Sequence, residues 1–178
     1  WRFEWADTKT RVTKVDVAAG TITVDVAPIV FGIREDAQFY VLNALSELDR
    51  PGEWYLDSQS GVLYVWPPDG CRELTLSDFS DTFLEIKDLH DVRFGGLTFQ
   101  NGRFDAITMR GCTNVRFAKN VIRNFGNDAL VALDSTQVTI RDNRLDTFGH
   151  GGIRLSGGDR RTLTPSGNVV CGNFIHEL

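Results

Sequence analysis

Three consecutive segments of equal length decide the fold of this chain. Residues 84–106 read LEIKDLHDVRFGGLTFQNGRFDA, residues 107–129 read ITMRGCTNVRFAKNVIRNFGNDA, and residues 130–152 read LVALDSTQVTIRDNRLDTFGHGG. When they are aligned, apolar residues fall in the same columns with a period of 23 (107 − 84, 130 − 107). A fixed period in the twenties is typical of a solenoid, in which successive coils stack on one another.

The spacing within each segment is that of β-strands. Apolar residues come in pairs two positions apart, as in an extended chain: Leu84/Ile86, Val92/Phe94 and Leu97/Phe99. No segment shows the helical spacing that a leucine-rich repeat carries. The pattern therefore predicts an all-β fold, a right-handed parallel β-helix of the pectate-lyase-like type, with about four 23-residue coils. Four residues one period apart are expected to form one buried column: Leu84, Ile107, Leu130 and Ile153.

A polar column runs through the same repeat. Asn120 and Asn143 occupy equivalent places in successive coils, and Asn173 takes that place in the next coil. Asparagine tolerates left-handed backbone and forms hydrogen bonds to neighbouring backbone through its amide. We expect an internal asparagine ladder, with Phe125 and Phe148 stacked in the same way, and we interpret all these columns as structural.

Residues 1–72 lack the repeat and predict a separate, small antiparallel β module of sandwich-like or half-barrel form, followed by β-helix coils over residues 73–178. Two segments of alternating polarity around a short turn, residues 11–26 and 53–66, predict two hairpins. Residues 40–48 between them show a short helical spacing. All four tryptophans lie in this module: Trp1, Trp5, Trp54 and Trp66. Trp54 and Trp66 are on facing strands of one hairpin, and we expect them to form a small core.

Composition excludes several classes of function. The formal charge of −5 and the pI near 5.2 argue against nucleic acid as a partner, because its binders carry basic surfaces. No apolar run approaches the roughly 18 residues of a membrane span, so we expect no membrane partner. Three cysteines without CxxC spacing and three scattered histidines predict neither a metal site nor a cofactor.

The two ends of the sequence predict a piece of a longer protein. The chain starts at Trp1 without a methionine, and residue 178 falls inside a repeat, so the β-helix is expected to be truncated there. A solenoid that stops within a coil exposes apolar side chains and an unpaired strand edge. We therefore expect end-to-end self-association through the apolar residues of the last coil: Ile153, Leu155, Val170 and Ile175.

Two aspartates, Asp105 and Asp128, lie 23 positions apart at the start of equivalent strands. Paired strands are separated by about 4.8 Å, so their carboxyl groups are expected roughly 5 Å apart, as in a retaining glycosidase. The alternative is that each aspartate caps a turn by accepting a hydrogen bond from backbone N–H.

One coil after Asp128, the sequence Gly149-His150-Gly151 adds a second feature to this region. An aspartate pair and a Gly-His-Gly on neighbouring coils resemble the polygalacturonase pattern, which implies Asp105, Asp128 and His150 as catalytic residues. This chain carries Asn127 where that family has a further aspartate. The alternative is that His150 is a turn or surface residue.

The last coil is longer than the others, since Asn173 follows Asn143 by 30 positions instead of 23. The extra residues fall within residues 156–167, and insertions in solenoids emerge as loops on one face, often the binding face. Asp159 and Arg160 in this loop, together with Arg154 before it, are predicted to contact sugar hydroxyls or acidic sugars. The alternative is a solvated, charged loop tip.

Three stretches together carry a family resemblance: residues 1–7 (WRFEWAD), residues 45–57 (LSELDRPGEWYLD) and residues 155–165 (LSGGDRRTLTP). They resemble bacterial right-handed β-helix carbohydrate-active proteins with an inserted β-sandwich, nearest to the fucosidase/xylanase-type glycoside hydrolases. The resemblance implies a secreted or periplasmic enzyme that hydrolyses plant-type polysaccharide or oligosaccharide with two carboxylates and no cofactor.

The same resemblance implies that the catalytic pair lies on coils after the Gly-Gly-Asp-Arg loop, beyond this chain. It carries over only Asp159 and Arg160, as residues that line the substrate cleft. Two alternatives stay open. One is a polygalacturonase-like hydrolase that uses Asp105, Asp128 and His150, and the other is a non-catalytic carbohydrate-binding or adhesin β-helix.

Overall fold

The computed structural model describes residues 9–25, 32–33 and 35–177. The chain divides into two compact units, residues 1–72 and residues 73–178. The described residues form β-strands and a single 3-10 turn, which confirms the all-β class. No helix among them is long and apolar enough to cross a membrane. Trp1, Trp5 and the first stretch of the family resemblance lie outside the described residues.

Residues 73–178 form a solenoid of three parallel sheets, each with four stacked strands. The first sheet contains β5 (Leu84–Lys87), β8 (Ile107–Arg110), β11 (Asp128–Leu133) and β14 (Gly151–Leu155). The second contains β6 (Arg93–Gly95), β9 (Arg116–Ala118), β12 (Thr139–Arg141) and β15 (Val169–Cys171). The third contains β7 (Thr98–Gly102), β10 (Val121–Phe125), β13 (Arg144–Phe148) and β16 (Phe174–His176). One strand from each sheet makes up one coil, so the predicted solenoid is confirmed.

The core is built from the columns that the 23-residue period predicted. In the first sheet Leu130 pairs with Ile107 on one side and with Ile153 on the other, and Ile107 pairs with Leu84. Ile107 and Leu130 are fully buried, while Leu84 and Ile153, in the outer coils, are partly buried and pack against the same core. The register follows from the equal coil length, because each residue lies opposite the one a period away.

The asparagine ladder is also confirmed. The side-chain oxygen of Asn143 accepts hydrogen bonds from the backbone N–H and the amide of Asn120, at 2.9 and 3.0 Å. Asn173 binds Asn143 in the same way. Asn120 and Asn143 are buried, and each amide also donates to a backbone carbonyl. The ladder therefore satisfies backbone groups at a turn that bends into the core, where unpaired polar groups are costly.

Residues 1–72 contain the two predicted hairpins. Strand β1 (Val12–Asp16) pairs antiparallel with β2 (Thr21–Val24), and β3 (Trp54–Asp57) pairs antiparallel with β4 (Val62–Val65). Within the described residues these are two separate two-stranded sheets. The sandwich-like arrangement of this module stays a prediction.

The predicted helical segment at residues 40–48 is wrong apart from one 3-10 turn, Leu45–Glu47. Asn43 explains the difference, because its amide donates to the backbone carbonyl of Leu56 and its side-chain oxygen accepts from the backbone N–H of Leu56. These two bonds fix the segment alongside β3, with Asn43 in left-handed backbone at φ 56°. A tertiary contact has overridden a weak local preference.

The prediction that Trp54 and Trp66 share a small core is also wrong. Trp54 is 58% exposed and Trp66 is 46% exposed. Trp54 lies opposite Val65, and Trp66 is the residue after Val65. Because successive side chains of a strand point to opposite faces, the two indole rings lie on opposite sides of the hairpin.

The last coil of the solenoid leaves apolar side chains exposed, among them Val170, Phe174 and Ile175. Strands β14, β15 and β16 are the outermost strands of their sheets.

We expect the 178-residue chain to associate through this last coil, because its exposed apolar side chains lie beside strand edges that pair with no other strand of the described residues. Sedimentation equilibrium at about 50 μM tests the expectation, because exposed edges of this kind associate in the micromolar range. A variant with both Val170→Lys and Ile175→Lys is expected to shift the chain toward monomer. If the unsubstituted chain is already monomeric at this concentration, the expectation of self-association is wrong.

Candidate functional site

The two equivalent aspartates lie where the chain passes from the third sheet to the first. Asp105 comes just before β8, and Asp128 begins β11. Both are buried, at 7% and 3% exposure. The sequence equivalence therefore places them in neighbouring coils, as predicted, but their hydrogen bonds differ and so do their roles.

Asp105 is held by the fold. Its Oδ1 accepts hydrogen bonds from the backbone N–H of Asp128 at 3.0 Å and from the amide of Asn127 at 2.6 Å. Its Oδ2 accepts a weaker bond from the hydroxyl of Thr108 at 3.4 Å. This is the turn-capping alternative, in which the carboxylate ties one coil to the next. The same contact accounts for Asn127, because an aspartate at that position would bring a second carboxylate against Asp105.

Asp128 instead contacts a histidine and an arginine, His150 and Arg154. Its Oδ1 lies 2.7 Å from Nδ1 of His150, and its Oδ2 lies 3.4 Å from Nη2 of Arg154. Oδ2 is buried and, among the described residues, makes no hydrogen bond, so Arg154 compensates its charge mainly through electrostatic attraction. The Asp128 side chain is only 4% exposed, whereas those of His150 and Arg154 are 66% and 55% exposed. We call these three residues the Asp128 cluster.

The backbone packs closely around the cluster because glycines occupy the turns. A Cβ on Gly149 would collide with the backbone carbonyl oxygen of Gly126 in the coil before it. A Cβ on Gly151, the register partner of Asp128, would lie 2.8 Å from the Asp128 Oδ1. The Gly-His-Gly sequence thus lets His150 reach a carboxylate in the neighbouring coil.

Sequence reasoning missed part of this arrangement. It grouped Arg154 with the inserted loop, whereas the structure brings Arg154 to Asp128. The sequence pattern also does not point to Thr108, whose hydroxyl donates to Asp105. The signal was present in the register, since Thr108, Val131 and Arg154 are paired positions on one row of the first sheet. Which of these residues reaches a carboxylate depends on side-chain direction, which the period does not reveal.

Asp159 and Arg160 lie together in the inserted loop, after the end of β14, and both are exposed. Asp159 and Thr164 exchange backbone hydrogen bonds of 2.9 and 3.0 Å, which closes the loop. The Asp159 Oδ1 accepts the backbone N–H of Arg161 at 2.8 Å. That bond, followed by one from the Thr162 hydroxyl, holds the pKa of the Asp159 carboxyl below its ordinary value. The described contacts do not link this loop to the Asp128 cluster.

The base of the loop is closely packed against the previous coil. A Cβ on Gly157 would collide with the carbonyl oxygen of Ser135, so glycine is needed there. Asn168 fastens the other side, because its side-chain oxygen accepts the N–H of Val138 and its amide donates to the carbonyl of Ser135. The loop is therefore anchored at both ends and carries its charges at the tip.

We expect Asp159→Ala to open the loop tip. Because the pKa of Asp159 is lowered, its carboxylate contributes fully above the ordinary pKa, and the contribution is lost as the pH falls through the folded-state value. At neutral pH the substitution should make trypsin cleave after Arg160 and Arg161 about fivefold faster, since cleavage follows the population of the open loop. Mass spectrometry of the fragments gives the rate and the position. A variant with Arg160→Gln and Arg161→Gln is the control that removes the cleavage site, and equal rates for the unsubstituted chain and Asp159→Ala would contradict the expectation.

The cluster shows no arrangement for a metal. Among the described residues, no three histidine, cysteine, aspartate or glutamate side chains converge to hold an ion. The described contacts of the cluster are those between one carboxylate, one imidazole and one guanidinium. Such a set binds polar ligands through hydrogen bonds and moves protons through histidine.

Comparison with known protein families gives two matches. A family model described as a right-handed beta helix region matches residues 60–178, and a model described as the GH141 insertion domain matches residues 25–68. The first match contains the whole Asp128 cluster and the inserted loop, and the second contains the hairpin β3–β4. The chain matches no curated protein and no solved structure.

Proposed function

The chain belongs to the right-handed β-helix family, and on that premise we propose that it is part of a glycoside hydrolase acting on plant-type polysaccharide or oligosaccharide. The match to the GH141 insertion domain supports a relationship to glycoside hydrolases. The observation that carries the proposal is the Asp128 cluster, in which a buried carboxylate holds an exposed histidine and an exposed arginine. The proposed substrate lies outside the cell, so we propose a secreted or periplasmic enzyme.

The cluster lies on a surface that suits an extended polymer. Arg154 belongs to the row of the first sheet that pairs Thr108, Val131 and Arg154 across three coils. Stacked strands repeat about every 4.8 Å and so form a long, regular face. Asp128 begins β11, His150 directly precedes β14, and Arg154 lies near the end of β14, where the inserted loop follows, so polar groups flank the strand on both sides.

Asp128 acts as a positioning residue because it is too deeply buried to touch a sugar. When its carboxylate is ionised, Asp128 can only accept hydrogen bonds, and Nδ1 of His150 then donates in their shared contact. This leaves Nε2 of His150 as the nitrogen that meets a ligand. The guanidinium of Arg154 approaches Asp128 through one nitrogen and keeps other N–H groups for sugar hydroxyls.

A two-carboxylate mechanism needs an acid and a base or nucleophile on either side of the scissile bond. Asp105 has its oxygens engaged by the coil, and Asp128 is buried behind His150 and Arg154. We therefore propose that the Asp128 cluster binds the substrate, together with Asp159 and Arg160 in the loop. The catalytic carboxylates are proposed to lie on coils that follow the loop, as the family resemblance implies.

One observation favours a second candidate function. The 2.7 Å contact between His150 and Asp128 is the arrangement in which a carboxylate orients a histidine for proton transfer. A polygalacturonase-like hydrolase that uses Asp105, Asp128 and His150 would place the chemistry in this chain. The two candidates differ in the role of His150, which binds the substrate in the first and transfers a proton in the second.

The test is a hydrolysis assay of the polypeptide that contains these 178 residues. Xylan, fucosylated xyloglucan and polygalacturonate are each incubated with the protein, and the released reducing ends are measured. We expect release from one of the neutral polysaccharides. Release from polygalacturonate alone would favour the second candidate, and binding without release would favour a non-catalytic carbohydrate-binding module. A protein that neither binds nor cleaves any of the three would overturn the proposal.

A further inference from the structure

A polar groove of about 650 Å³ lies on the third sheet of the solenoid, a different sheet from the one that carries Arg154. Its floor comes from the paired strands β7 and β10, and its wall comes from the segment before the first coil, residues 73–77. Every side chain that lines it is polar or charged. The proposed function makes no use of this groove.

The floor holds an arginine in a fixed orientation. Nε and Nη2 of Arg123 both donate to the side-chain oxygen of Gln100, at 3.0 and 2.7 Å, and the two residues are register partners in neighbouring coils. Among the described residues, Arg123 forms no ion pair with a carboxylate. The planar guanidinium is thus held by a neutral partner and keeps its remaining N–H groups for a ligand.

Two asparagines extend the floor. The amide of Asn124 donates to the side-chain oxygen of Asn101 at 3.1 Å, and both residues have left-handed backbone, at φ 58° and 66°. Asn120 and Asn143 of the ladder are buried, whereas Asn124 is exposed and Asn101 is partly exposed. The pair leaves an amide N–H of Asn101 and the side-chain oxygen of Asn124 for hydrogen bonds to a ligand.

The wall supplies an acid and a hydroxyl. Glu73, Thr75 and Ser77 are alternate residues of this segment and line the groove together, while Leu74 and Leu76 between them are exposed. The hydroxyl oxygen of Ser77 is buried and has no hydrogen-bond partner in the described part of the chain. A buried hydroxyl without a partner is uncommon and indicates a group that a ligand or water satisfies.

We propose that this groove is a second saccharide-binding site, which holds a neutral sugar residue away from the chemistry. Planar amides and a guanidinium bind vicinal hydroxyls in pairs, and the groove offers both. The charges of Glu73 and Arg123, the two charged side chains that line the groove, cancel, and this favours a neutral sugar over a uronate. The proposal rests on the proposed function for its ligand class, a polysaccharide long enough to reach both sheets. Two linked contacts would raise the affinity for the polymer above that of either site.

Isothermal titration calorimetry with xylohexaose, cellohexaose and tetragalacturonate tests the groove. The titrations use the Arg154→Ala variant, so that binding at the Asp128 cluster is weakened. We expect a neutral hexaose to bind, and Arg123→Ala in the same background to weaken that binding at least about tenfold through the loss of charge-assisted hydrogen bonds. Arg116→Ala is the matched control, because it removes an arginine from the second sheet, and its effect should stay within about twofold.

Three results would overturn the inference. They are no binding of either neutral hexaose, equal losses for Arg123→Ala and Arg116→Ala, and tighter binding of tetragalacturonate than of the hexaoses. The melting temperatures of the two variants are compared to separate lost binding from lost folding. The proposed function fails by a different result, the absence of hydrolysis of every polysaccharide, so the two failures are distinguishable.

Discussion

Replacing Arg154 with alanine is expected to lower kcat/KM for polysaccharide hydrolysis about 10- to 100-fold, mainly by raising KM. The reason is the loss of charge-assisted hydrogen bonds to the sugar, each worth about 1.5–3 kcal/mol. The substitution also removes the cation that lies 3.4 Å from the buried Asp128 Oδ2. Initial rates over a range of substrate concentrations give both constants, with the polysaccharide that the hydrolysis assay identifies as substrate.

Arg110→Ala is the matched control for this experiment. Arg110 lies on β8 of the same sheet, its side chain is 55% exposed like that of Arg154, and it pairs with Asp134 at 3.0 Å. An exposed pair of this kind contributes little, so kcat/KM should change less than about twofold. Equal effects of the two substitutions would contradict a role for Arg154 in binding.

His150→Ala separates the two candidate functions. If His150 binds substrate, KM rises and kcat changes little. If His150 transfers a proton, kcat falls about 10²- to 10⁴-fold, as for other general acids and bases. We expect the first result, because proton transfer by His150 would need a second catalytic carboxylate beside it. Asp128, which orients His150, is buried, and Asp105 is engaged by the fold.

Replacing Asn143 with alanine is expected to lower the free energy of unfolding by about 3–5 kcal/mol. Asn143 is buried, and its amide donates to the carbonyl of Phe117 while its side-chain oxygen accepts the backbone N–H of Asn120. Alanine leaves both backbone groups without these partners inside the core, at about 1–3 kcal/mol each, and also breaks the contact with Asn173. Urea denaturation followed by circular dichroism measures the change.

Asn124→Gly is the control for the ladder prediction. Asn124 also forms an asparagine–asparagine bond between coils, but at the surface, and glycine retains its left-handed backbone. Its loss should cost less than about 1 kcal/mol, since surface substitutions rarely cost more. If Asn143→Ala cost no more than this control, the ladder would not be a main source of stability.

The repeat predicted the fold because its information is a period. Once Leu84, Ile107, Leu130 and Ile153 are equally spaced, parallel stacking places them in one column, and the coil length alone sets the register. The asparagine ladder follows for the same reason. Residues 40–48 had no such constraint, and two hydrogen bonds from Asn43 to Leu56, 13 positions away, decided their conformation.

The candidate site was predictable only in part. Equivalent positions brought Asp128 and His150 to neighbouring coils, as expected from their spacing. The different hydrogen bonds of Asp105 and Asp128 were not predictable, because they depend on which neighbour lies one coil further on, Asn127 and Asp128 in one case and His150 and Arg154 in the other. A period identifies equivalent positions, whereas chemistry depends on the residues that differ between them.

The most direct test of the central claim, that substrate lies on the first sheet beside the Asp128 cluster, is a crystal structure with a bound oligosaccharide. Crystals of the unsubstituted protein, in which Asp128 holds His150 and Arg154, would be soaked with the oligosaccharide that it releases in the hydrolysis assay. The account predicts a sugar residue within hydrogen-bond distance of the Arg154 guanidinium or Nε2 of His150, with the chain running toward Asp159 and Arg160. A sugar bound only on another sheet, with the cluster free of ligand, would contradict it.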